Sequence, residues 1–114
     1  MPRLVWLRGI RVSGILSAVI VSFGDRATEA LYHGRRDAKT RRIPSDILSA
    51  TLRKLDMLNA ASELVDLRVP PGNRLEALRG DRKGFHSIRV NEQWRIVFRW
   101  TAVGPERVTL IDYH

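Results

Sequence analysis

The spacing of apolar positions changes near the middle of the chain. Residues 45–61 carry Leu48, Leu52, Leu55 and Leu58 at intervals of four, three and three, which makes one stripe along a helix. Pro44 stands ahead of this helix, and Ser45 or Asp46 offers a capping oxygen. Ala60 and Ala61 prolong it, Leu64 and Leu67 pack near its end, and Pro70-Pro71-Gly72-Asn73 forbids its continuation. Beyond that turn the period becomes two. Residues 74–78 read as a short strand, 79–84 as a turn, 85–90 as an alternating strand and 91–93 as a tight connection. Residues 94–100 alternate most strongly, with Trp94, Ile96, Phe98 and Trp100 on one face and Arg95 and Arg99 on the other. Gly104-Pro105 is expected to turn the chain into a last strand over 108–113.

Ahead of the long helix, residues 19–23 (VIVSF) are mostly β-branched and predict a first strand. Asp25 caps a short helix over 26–33 with Ala27, Ala30 and Leu31 inward, and Gly34 ends it. A basic, polar loop, GRRDAKTRRIP, follows. The predicted order is β-α-α-β-β-β-β, an α+β domain. Two N-terminal helices pack on one face of a curved, mainly antiparallel sheet, and arginines project from an open second face.

Residues 1–18 carry Arg3, Arg8 and Arg11 and no acid, with an apolar run after them. A signal peptide, a membrane span and an upstream extension all compete here. Ser17 interrupts the run, which falls short of the ~20 apolar residues a span requires. The preferred reading is an N-terminal extension, 1–18, from a misassigned start, followed by one domain over 19–114.

Charge adds to this picture. Twenty Lys and Arg face twelve Asp and Glu, for a net charge of +8, and seventeen of the twenty are arginine. The planar guanidinium matches phosphate oxygens two at a time, so the balance favours a polyanionic partner. No cysteine is present, which excludes disulfides and thiolate metal sites. His33, His86 and His114 lack metal-ligand spacing, and there is no GxxxxGK[ST] loop. No metal and no cofactor is called for.

On the open face, Arg89, Arg95 and Arg99 fall on consecutive strands, Arg79, Arg82 and Lys83 lie in the preceding turn, and the chain ends Asp112-Tyr113-His114. Such a set suits metal-free RNA cleavage. A base frees the ribose 2′-hydroxyl, cations stabilise the charged phosphorus centre, and an acid protonates the leaving 5′-oxygen. Histidine exchanges protons near neutral pH, arginine supplies fixed charge, and tyrosine orients a phosphate or stacks on a base. The same arginines also fit an ordinary solvated sheet face, and Glu76 an ordinary surface ion pair.

The run RLEALRGDRKGFHSIRVNEQWRIVFRW, with the terminal VTLIDYH, resembles the HigB toxins of the RelE/ParE toxin–antitoxin superfamily, GraT-type members above all. The L-x-x-L-x-G-D-R-x-G segment, the S-I-R-V-N-x-Q-W-R hairpin and the D-Y-H ending carry the likeness, and VIVSF matches the family's opening. It covers residues 19–114. The resemblance implies a RelE-like fold and a cytoplasmic, ribosome-dependent mRNA endonuclease that inhibits translation from the 30S A site. It further implies a HigA-like helix-turn-helix antitoxin, with operator DNA bound only through that antitoxin, and no membrane association. By the same likeness Asp112, Tyr113 and His114 match the terminal catalytic motif, Arg95 the phosphate arginine after Trp94, and Arg79 a basic position often held by lysine. Some members have histidine at Glu76, so either Glu76 or His114 is the base here, and some have arginine at Asn91. The alternatives are a ParE-like gyrase poison, against which the D-Y-H ending speaks, and a non-catalytic basic nucleic-acid-binding module.

Overall fold

The computed structural model describes residues 19–113. The expected extension over 1–18 and the catalytic candidate His114 lie outside the described residues. The chain forms α1 (Arg26–Tyr32), a 3₁₀ turn (Ser45–Ile47), α2 (Leu48–Ala60) and further 3₁₀ turns at Leu64–Arg68 and Pro71–Asn73. Four strands follow: β1 (Glu76–Ala77), β2 (His86–Arg89), β3 (Trp94–Thr101) and β4 (Gly104–Asp112), with a 3₁₀ turn at Gly80–Arg82 between the first two. The strands pair antiparallel in the order β1-β2-β3-β4. This is the α+β architecture expected from the change of period.

The core lies between α2 and the sheet. Leu55 and Leu58 are fully buried with Ile88, Ile96, Phe98 and Leu110, and Trp94 closes one end. Leu48 and Leu52 are only partly buried, because the stripe rotates off the sheet toward the start of the helix. Asp25 caps α1 as expected, its Oδ1 accepting from Thr28 N at 2.9 Å. The expected cap of α2 is absent. Neither Ser45 nor Asp46 makes a side-chain capping bond; the chain enters through the 3₁₀ turn instead, with Ile47 N donating to the Pro44 carbonyl at 3.3 Å.

Three expectations are corrected. Residues 19–23 form a single parallel bridge, Phe23 to Val108, rather than a strand. The cause is a bulge in β4, where Arg107 sits at φ 54° between the Val97–Thr109 and Arg99–Glu106 pairs. The Arg107 N–H is diverted to Ser22 Oγ at 2.9 Å, so the ladder is interrupted. Gly104-Pro105 is not the turn; both residues belong to β4, opposite Thr101 and Trp100. A side chain at position 104 would collide with the Val19 carbonyl, 2.2 Å from the Cβ position, and this close approach requires glycine there. Lastly, the second face of the sheet is open only in part. Ser87 and Val97 are buried on it, and Arg95 retains only 8% exposure, its guanidinium held against Ser87 Oγ, the Arg74 carbonyl and Glu76.

Candidate functional site

Residues paired across a sheet share a face, and alternate residues return to it. The pairs Glu76–Ser87, Ser87–Val97, Arg89–Arg95 and Arg95–Ile111 therefore place Glu76, Arg89 and Arg95 on the face turned away from α2. Tyr113 returns to that face two residues after Ile111, its N–H donating to the Gln93 carbonyl at 2.6 Å. Together they line a cleft of about 570 Å³, completed by Arg74, Asn91 and Glu92 at the rim.

Arg95 is the best-held group in the cleft. Its Nε donates to Ser87 Oγ at 2.8 Å and its Nη2 to the Arg74 carbonyl at 2.8 Å. Glu76 Oε1 lies 3.4 Å from the same Nη2. The guanidinium carbon stands 5.6 Å from the centre of the Tyr113 ring, within cation–π range. Burial pulls the Arg95 pKa below the ordinary arginine value; Glu76 and Tyr113 oppose this, while Arg89 and Arg74 add to it. The group stays a cation at neutral pH and cannot serve as the proton donor. Arg89 faces the same cleft and is paired at 3.9 Å with Glu92, whose side chain is almost wholly exposed. A phosphate entering here meets cations already partly neutralised by two carboxylates.

Other sequence candidates are placed elsewhere. Asp112 pairs with Trp94 in register and so belongs to the opposite face; its Oδ1 accepts from Gln93 Nε2 at 3.0 Å. Arg79, Arg82 and Lys83 are exposed at the far end of the β1–β2 hairpin, beyond the Ala77–His86 pair. Arg99 lies toward that end too, with its Nε on Glu106 Oε2 at 2.7 Å and its guanidinium 5.9 Å from the Phe85 ring centre. His86 is on the helix side, stacked against Phe98. Sequence reasoning passed over Arg74 and Ser87. Ser87 had a readable signal, since it alternates with Arg89 and so faces Arg95 across the ladder. Arg74 had none, because its contribution is a backbone carbonyl. Among the described residues no group of three or more His, Asp or Glu is placed to hold a metal ion, and no helix is long and apolar enough to cross a membrane.

Comparison with known proteins agrees with the resemblance in the sequence. A family model described as the RelE-like toxin of the type II toxin–antitoxin system HigB matches residues 21–114. Toxin HigB-1 of Vibrio cholerae serotype O1 is 46% identical over 94 residues, covering 82% of this chain and 96% of that protein. An uncharacterized protein of Haemophilus influenzae is 42% identical over 59 residues, or 52% of this chain and 58% of that one. The chain thus belongs to the HigB family of RelE-like toxins of type II toxin–antitoxin systems.

Proposed function

We propose that this toxin is a metal-independent endoribonuclease that cuts mRNA on the translating ribosome, from the A site of the small subunit. The observation that carries the reading is Arg95, a guanidinium held along one edge by two hydrogen bonds at the floor of a cleft that also holds Glu76, Arg89 and Tyr113. A preorganised cation is worth most where negative charge develops on a transferring phosphoryl group.

In the proposed reaction the ribose 2′-oxygen attacks the neighbouring phosphorus. Glu76 takes the hydroxyl proton. Arg95, with Arg89, stabilises the charge gained by the phosphate oxygens, and Tyr113 orients the strand by its ring. The bond to the 5′-oxygen breaks, and His114, next in the chain after Tyr113, is assigned the proton given to it. The products are a 2′,3′-cyclic phosphate and a 5′-hydroxyl. A requirement for the ribosome fits a cleft whose arginines are countered by Glu76 and Glu92, since free RNA gains little from so balanced a surface and needs to be presented. Arg79, Arg82, Lys83 and Arg99 are assigned to RNA backbone beyond the scissile step.

Family membership implies an antitoxin partner. We assign it the helix-turn-helix HigA type, which would bind operator DNA on behalf of the pair, and we assign the toxin to the cytoplasm, where its ribosomal target lies.

Primer extension on mRNA from a translating lysate tests the reading. Purified toxin is expected to give cuts within the translated frame, with 5′-hydroxyl ends, that vanish when initiation is blocked. Equal cutting of the same mRNA without ribosomes contradicts the ribosome requirement. No cutting at all, with arrest of DNA replication instead, supports the gyrase alternative.

A further inference from the structure

The proposed function gives Arg95 its task, and how that side chain is held is a separate question. A free arginine side chain samples many rotamers. Here the chain supplies two acceptors at right positions for one edge of the guanidinium. Ser87 is fully buried in β2, directly opposite Val97 and two residues from Arg89. Its hydroxyl oxygen accepts the Nε–H at 2.8 Å. The Arg74 carbonyl accepts from Nη2 at the same distance.

That carbonyl reaches Arg95 because Arg74 adopts left-handed backbone angles, φ 47° and ψ 55°, which a non-glycine residue avoids unless its surroundings fix it. Asn73 does the fixing. It is fully buried, its Nδ2 donates to the Leu67 carbonyl at 3.0 Å, and Lys54 of α2 donates to its Oδ1. The Arg74 N–H is closed onto the Pro71 carbonyl at 3.0 Å.

We infer that Ser87 and the Arg74 carbonyl are positioning groups for the reaction, clamping the Nε and Nη2 edge of Arg95 so that the Nη1 edge is presented to a phosphate oxygen. This inference rests on the role proposed for Arg95. An arginine has five N–H donors in a rigid fork. The two bonds described use one donor each from Nε and Nη2, Glu76 lies beside Nη2, and among the described residues Nη1 meets no protein acceptor. The clamp also gives a task to the hydroxyl of Ser87, which with Ile88 is one of the two fully buried residues of this strand.

The test uses the full chain with Arg95→Ala and Ser87→Ala variants, in single-turnover cleavage of mRNA on programmed ribosomes, together with proton exchange at arginine Nε. In the parent, the Arg95 Nε–H is expected to exchange far more slowly than that of exposed Arg79. In Ser87→Ala it becomes fast, the maximal rate falls about tenfold, and the half-saturating toxin concentration stays within about twofold. A serine that only supported the fold would lower melting temperature without this split between rate and saturation. Cleavage by Ser87→Ala at the parental rate, while Arg95→Ala is inactive, overturns the clamp and leaves the proposed function standing. Full activity in Arg95→Ala overturns both. If Ser87→Ala does not fold, the exchange measurement on the parent decides, and an Arg95 Nε–H as labile as that of Arg79 refutes the inference.

Discussion

Arg95 and Arg99 stand four residues apart on one strand, and simple alternation puts them on the same face. The folded chain treats them differently. Arg95 is 8% exposed and gripped by a buried hydroxyl and a backbone carbonyl, with a tyrosine ring beside it. Arg99 is exposed, pairs with Glu106 and rests near Phe85. Between them lies the β4 bulge at Arg107, which shifts the register from Val97–Thr109 to Arg99–Glu106. A cation is useful to chemistry where water has been removed and its position is set, because its field is then neither screened nor averaged over rotamers. A solvated ion pair contributes charge to the surface and little more.

The contrast can be broken by experiment. The largest effect is expected at Arg95: its replacement by alanine slows single-turnover cleavage by about 1,000-fold, the upper range for loss of one preorganised donor. Glu76→Gln comes next, with about a 100-fold loss, the scale of a missing general base. A rate unchanged in Glu76→Gln would move the base to His114. Tyr113→Ala is expected to cost about tenfold, mostly in the half-saturating concentration, as loss of a stacking surface should. Glu92→Gln runs the other way. It frees Arg89, so the half-saturating concentration falls by about twofold at low salt, an advantage that fades as salt rises.

Much of this arrangement was legible in the sequence. The leucine stripe of α2 and the period-two run from Trp94 gave the two layers, because helix and strand faces impose those spacings directly. The grouping of Arg89, Arg95 and Tyr113 followed from alternation and chain order, whereas Glu76 entered through the resemblance to the HigB toxins. What was not legible depends on backbone geometry. The left-handed Arg74 and the β4 bulge leave no mark in polarity, and an alternating pattern cannot tell a buried arginine from a solvated one, which is why Arg99 was grouped with Arg95. Gly104-Pro105 was misread because glycine usually reports a turn, whereas here it reports the close passage of Val19.

The most direct test sets Arg95→Ala beside Arg99→Ala in the programmed-ribosome cleavage assay, with thermal unfolding as a control. Arg99→Ala is expected to keep its maximal rate within about threefold and to lose at most about 1 kcal/mol of stability, while Arg95→Ala is expected to be nearly inactive at saturating concentration. Equal losses in the two variants, or an Arg95→Ala protein that cleaves as the parent does, would contradict that expectation.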